Sequence, residues 1–126
     1  MINKISVSPR LLAQVPPSGF FCVGEQSKDR LGTAVADVSD KTDPTGSLTV
    51  WLTWRVETDG ATGKPIPMNF GDGLFGGNFS VPYAQTHLQG GKLTVTVHAR
   101  DRAGNEARPF SDTIALDTCR IAQIPQ

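Results

Sequence analysis

The chain has 126 residues, with 12 basic and 12 acidic side chains that cancel. This is one domain's length, and with no run of like charge it carries no basic footprint for nucleic acid. Hydrophobic residues at 38% and charged residues at 19% exclude a disordered chain, and no stretch nears the ~18 consecutive apolar residues of a membrane span, so no membrane insertion is expected.

Gly and Pro, 13 and 9 in number, are spread along the whole chain, which suits short strands and turns better than helices. The opening Met1–Arg10 lacks an apolar segment like the core of a secretory signal. Within it, Ile5 and Val7 alternate with Ser6 and Ser8 ahead of Pro9, as in a short edge strand. Pro9 to Gly19, containing Pro16-Pro17-Ser18-Gly19, reads as a connector, so residues 1–19 form an edge strand and connector ahead of the domain proper. Leu31 to Val38 places Thr33, Val35 and Asp37 on one face and the small Ala34 and Ala36, with Val38, on the other.

The clearest segment is Leu48 to Val56, where Leu48, Val50, Leu52, Trp54 and Val56 face one way and Thr49, Trp51, Thr53 and Arg55 the other. Strict period-two alternation of β-branched and aromatic residues marks a half-buried strand. Ile66 to Phe70 and Asn78 to Val81 read as short strands around a glycine-rich loop, Gly71 to Gly77. Leu93 to Ala99 repeats the alternation, with Leu93, Val95, Val97 and Ala99 inward and Thr94, Thr96 and His98 outward. Thr113 to Leu116 is a last strand, and residues 121–126, with Pro125, read as an exit linker. About seven strands without a helix predict an antiparallel β-sandwich.

Cys22 and Cys119 belong to no C-x-x-C or Cys/His cluster, so a structural zinc is not expected. They are either two buried thiols or one disulfide closing nearly the whole domain. In the chain-entropy model a ~100-residue loop contributes roughly 4–5 kcal/mol, which favours the disulfide and with it an oxidising compartment.

The stretch Val95-Thr96-Val97-His98-Ala99-Arg100-Asp101-Arg102-Ala103-Gly104-Asn105 resembles the V-x-V-x-A-x-D-x-A-G-N signature of bacterial immunoglobulin-like domains. The order around it agrees: Cys22, Val35 to Asp40, the Leu48 to Trp54 strand, Met68, a Gly-Gly-x-Phe turn at Gly76 to Phe79, and a closing Cys119. Over residues 20–120 the chain is similar to single-disulfide immunoglobulin-like modules of actinobacterial surface and secreted proteins. The resemblance implies an immunoglobulin-like sandwich and an extracellular or cell-surface place in a longer exported protein. It transfers no activity, because such modules serve as spacers, adhesins and accessory binding domains alike. The cysteine spacing departs from antibody domains, so a Cys22–Cys119 bridge would tie the start of the domain to its exit, as suits a module under load.

Trp54, Val95 and Val97 are expected in the core. Trp51 points the other way, and an outward Trp is either a stacking platform or a ring covered by a connector. Phe75 in the glycine-rich loop and Tyr83 just after it are the other candidates for a glycan- or protein-binding surface; equally, the loop can fold back over the end of the sandwich. Asp101 and Asn105 suit a hairpin turn; with Asp37, Asp40 or Asp43 they are the one candidate calcium site, although calcium wants about six to eight oxygens and no contiguous loop supplies them. No other cofactor is expected. His87 and His98 are read as surface histidines, and neither Ser80 nor Ser111 has the context of a nucleophile. The expectation is a monomeric, non-enzymatic spacer or interaction module joined to neighbouring domains, with an accessory carbohydrate-binding module of a secreted hydrolase as the rival.

Overall fold

The computed structural model describes residues 1–125. The chain forms strands β1 (Ile2–Ser8), β2 (Leu11–Leu12), β3 (Phe20–Val23), β4 (Gly32–Val38), β5 (Thr49–Val56), β6 (Ile66–Pro67), β7 (Asn69–Gly71), β8 (Leu74–Phe79), β9 (Gly91–Arg100), β10 (Phe110–Leu116) and β11 (Arg120–Gln123). Single 3₁₀ turns at Thr45–Ser47 and Gln85–His87 are the helical elements among the described residues.

Two sheets face each other, one ordered β1-β4-β8-β7 and the other β2-β10-β9-β5-β6. The first strand of the chain is split between them. β1 pairs antiparallel with β4, the chain changes sheets at Pro9, and β2 runs parallel to β10. This is the immunoglobulin layout, an A-B-E-D sheet against a G-F-C sheet widened at its two edges by β2 and β6.

The alternation of the sequence decides which side of each strand is buried. Ala34, Ala36 and Val38 of β4 meet Val50, Leu52, Trp54 and Val56 of β5 and Leu93, Val95, Val97 and Ala99 of β9 in one continuous core. Alanines on β4 leave room for the larger rings opposite. Gly77 of β8 does the same, since a Cβ there would lie 2.9 Å from Leu52 and 3.1 Å from Met68. Trp54 is 7% exposed, and its indole covers Gly63, whose added Cβ would fall 2.4 Å from Nε1.

The Cys22–Cys119 disulfide is present, with Cα atoms 4.6 Å apart across 97 residues of sequence. It lies beside a two-stranded ribbon of β3 and β11, with Cys22 opposite Ile121. Several expectations are corrected there. The edge strand expected before Pro9 is β1, but Pro9 to Gly19 is more than a connector, because β2 joins the second sheet and Leu12, Ala13 and Gln14 are fully buried. Arg10 fixes the crossing by donating to Asp112 at 2.6 Å, and that bond, with the charge behind it, holds the Asp112 carboxyl below its usual range. Residues 121–123 are strand rather than linker, and the Ile124 N–H reaches Gly19 O at 2.8 Å; Gln126 lies outside the described residues. The bridge therefore joins the β2–β4 connection to the segment after β10, not the start of the domain to its exit.

Asp117 anchors the same region. Its buried carboxylate accepts the N–H groups of Gln26 at 2.6 Å, Ser27 at 2.7 Å and Thr118 at 2.8 Å, and so fastens the loop between β3 and β4 to the end of β10. Gln14 Nε2 donates to the Asp117 and His87 carbonyls at 2.8 and 2.9 Å. The glycine-rich segment is also shorter as a loop than its composition suggests. Gly76 to Phe79 lie within β8 rather than in a turn, and the β7–β8 hairpin turns at Asp72 and Gly73, both with positive φ.

Candidate binding surface

The outward positions of the five-stranded sheet hold the most concentrated chemistry of the molecule. β5 contributes Thr49, Trp51, Thr53 and Arg55, and β9 contributes Lys92, Thr94, Thr96, His98 and Arg100. Their antiparallel register sets Trp51 opposite His98 and Thr49 opposite Arg100. The Trp51 and His98 rings stack nearly parallel, with centroids 5.2 Å apart and planes 7° off. His98 is held upright by a 3.0 Å hydrogen bond between Nε2 and Thr53 Oγ1. The Arg100 guanidinium carbon sits 5.6 Å from the Trp51 centroid, within cation–π range. On the other flank β6 brings Pro67 opposite Trp51. Thr49, Trp51, Pro65, Pro67 and Arg100 line an open groove of about 240 Å³.

Trp51 is half-buried, so neither alternative of the sequence reading holds in full. No connector covers it, and its partners are neighbours on its own sheet. The structure does not assemble it with the other two candidates. Phe75 is 2% exposed, packed in the core with its ring 5.1 Å from that of Phe70, which corrects its reading as a ligand-contacting residue. Phe75 points inward because it shares the core-facing side of β8 with Gly77 and Phe79, while its register partner Phe70 on β7 is left exposed at the sheet's edge. Tyr83 is half-buried in the connection after β8, where its N–H bonds Val15 O at 2.8 Å.

At the β9–β10 turn the Asp101 carboxylate accepts the Asn105 N–H at 2.8 Å and the Asn105 amide at 3.2 Å, and the Gly104 N–H bonds Asp101 O at 3.1 Å. Gly104 has a φ of +90° and open space around it, so it serves backbone conformation alone. Asp40, Asp43 and Asp101 bring carboxylate oxygens within 4.8 Å of one another, while Asp37 stays exposed on β4 outside the cluster. Each of the three is engaged by the backbone. Asp40 accepts the Asp43 N–H at 2.9 Å, which holds its carboxyl below the usual range, and Asp43 accepts the Arg102 N–H at 3.0 Å. These bonds tie the β4–β5 loop to the β9–β10 turn. The three carboxylates come from two separate loops and each already accepts backbone N–H groups, unlike a contiguous loop built to offer calcium its about six to eight oxygens.

His87 is 3% exposed, which corrects its reading as a surface histidine. Nδ1 lies 2.7 Å from Asp59 Oδ2 and Nε2 lies 3.0 Å from Pro82 O, so both ring nitrogens face acceptors. The Thr86 hydroxyl also donates to Asp59, as does the Ala61 N–H at 2.9 Å. Together, with the Thr86 bond foremost, they lower the Asp59 carboxyl from 3.8 to about 2. A depressed carboxyl stabilises the fold above its unfolded value, and that contribution disappears as pH falls through the folded one. Asp59→Asn is therefore expected to lower the melting temperature at pH 5, and the gap to the native chain should close between about pH 4 and pH 2. Parallel melts of the two proteins across that range check this; a gap of constant size would mean Asp59 contributes nothing as an anion.

No protein-family model and no curated protein matches the chain. Among the described residues no helix is long and apolar enough to cross a membrane.

Proposed function

We propose that the chain is a non-catalytic immunoglobulin-like interaction module of a longer exported protein, working outside the cell or at its surface. The observation that carries this reading is the Trp51 face. A half-exposed indole, braced by His98 and flanked by Arg100 and two prolines, is set on a rigid sheet with no strand or loop laid over it. Large aromatic rings with a cation beside them concentrate binding energy in recognition surfaces, and a ring fixed by neighbours gives up little entropy on binding. A disulfide between β3 and the segment after β10 suits an oxidising compartment. The resemblance of the Val95–Asn105 stretch to bacterial modules of this fold supports the same placement.

A thermal melt of the oxidised protein against calcium, cell-wall glycans and plant polysaccharides tests the reading. A ligand at 100 times its dissociation constant adds ~2.7 kcal/mol, which raises the midpoint of a domain this size by roughly ten degrees. The expected result is such a shift with one of the glycans, and its loss in Trp51→Ala. Flat curves throughout would overturn the interaction reading and leave a spacer.

A further inference from the structure

We infer that the Trp51 groove takes an acidic saccharide, a sugar chain bearing carboxylate or sulfate groups; this rests on the Trp51 face being the interaction surface. Three independent features point to that class.

The first is charge. The outward positions of β5, β9 and β10, read from the register, are Thr49, Trp51, Thr53 and Arg55, then Lys92, Thr94, Thr96, His98 and Arg100, then Ser111, Thr113 and Ala115. None of these positions is acidic and four are basic residues. The acids bordering the face are Glu57, beside Arg55, and Glu106, which bridges to Arg100 through the backbone at the far end of β9 without forming an ion pair with it. Asp112 sits on the opposite pleat, paired with Val95 and bonded to Arg10. Arg55 has Glu57 at 4.0 Å, whereas Arg100, at the groove, has no ion-pair partner among the described residues. Its donors are free for an anion held against the indole, where a guanidinium binds a planar oxyanion through two parallel bonds.

The second is the hydroxyl array. Thr53, Thr94, Thr96, Ser111 and Thr113 form a polar field on the same face, running from Thr53, two residues from Trp51 on β5, away toward Arg55 and β10, with Thr96 and Ser111 hydroxyls 2.8 Å apart and Thr94 and Thr113 3.4 Å apart. One apolar ring bordered by hydroxyls matches the amphipathic face of a sugar chain. The groove is smaller than the ~300–1,000 Å³ of sites that enclose a drug-sized molecule, so its ligand is stacked on the ring rather than swallowed.

The third is the edge. The competing way to occupy this side of the sheet is an acidic peptide strand added beside β6. Met68 N–H points inward to Val50 O at 2.8 Å, so by the alternation of a strand the outward backbone positions are 65 and 67. Both are proline, and neither has an N–H to offer. Strand addition at that edge therefore lacks its donors.

Titrating the oxidised chain with de-esterified oligogalacturonate, hyaluronan oligosaccharides, a sulfated heparin oligosaccharide, methyl-esterified oligogalacturonate, cellohexaose and an oligoglutamate peptide, followed by tryptophan fluorescence and calorimetry, tests the assignment. The expected result is saturable binding of at least one acidic sugar, weakened by added salt. Arg100→Ala should weaken it by about tenfold, the effect of one lost hydrogen bond to a charged group. Arg100→Lys should fall between, and both variants should melt within a few degrees of the native chain, which keeps a folding defect apart from a lost contact. Equal binding of neutral and acidic sugars, or unchanged affinity in Arg100→Ala, would overturn the acidic class while leaving the surface in place. Capture of an acidic peptide at Trp51 with no sugar bound would do the same. No binding of any sugar or peptide at millimolar concentration would overturn both the ligand class and the surface.

Discussion

Replacing Cys22 and Cys119 together with serine is expected to lower the free energy of unfolding by about 4–5 kcal/mol, because the bridge spans 97 residues and closes a loop of nearly the whole chain. For a domain with a total of about 5–15 kcal/mol that is a large share, and the melting midpoint should fall by some fifteen degrees or more. Denaturant melts of the oxidised, reduced and double-serine proteins measure it; a loss below about 1 kcal/mol would mean that the reduced chain unfolds no more freely than the bridged one. Pulling makes the same point geometrically. With the bridge closed, only residues before Cys22 and after Cys119 lengthen under load. At ~3.5 Å per extended residue the oxidised chain reaches roughly 100 Å and the reduced chain more than 400 Å. Because β1 and β2 lie outside the loop, force on the N-terminus strips them from β4 and β10 first, and the sandwich behind the bridge is spared.

Trp54→Ala is expected to cost about 3–5 kcal/mol, the range for deleting a buried large aromatic side chain. The ring sits opposite Val95 on β9 and lies over Gly63. The reciprocal change, Gly63→Ala, pushes a methyl into the indole and is expected to cost about 1–3 kcal/mol by overpacking. If the two are combined, the new methyl meets a cavity instead of a ring, so the double variant should be more stable than the sum of the single losses predicts. Urea melts of the three variants check this, and strict additivity would show that ring and glycine are not in contact. Trp51→Ala, by contrast, removes a half-exposed ring outside the core and should cost much less.

The two tryptophans show how much of this was legible beforehand. Alternation alone separated Trp54 from Trp51, because side chains two apart share a face and neighbours do not. The same signal gave the inward rows of β4, β5 and β9, and hence the sandwich. What alternation does not contain is register. That His98 and Arg100 stand beside Trp51 depends on β5 pairing with β9 at Trp51 opposite His98, and these strands are some forty residues apart with three other strands between. The candidates grouped with Trp51 by composition, Phe75 and Tyr83, belong elsewhere for that reason. Short strands were missed for another. β2 is two residues long in a proline-flanked stretch, and β3 and β11 become a ribbon only through each other. His87 gave no local hint of burial, since its acceptor Asp59 is 28 residues away and the lock forms only when two loops meet.

The two indole N–H protons give the most direct test of the central claim that the Trp51 face is where this module binds. Each appears as one resonance in a nitrogen–proton correlation spectrum, and Trp51→Ala identifies which is which. Titration with de-esterified oligogalacturonate and with hyaluronan oligosaccharides is expected to move the Trp51 resonance and the amides of β5, β6 and β9, with the Trp54 resonance left in place. Shifts centred on the β3–β11 ribbon, or no shift at millimolar sugar, would contradict it.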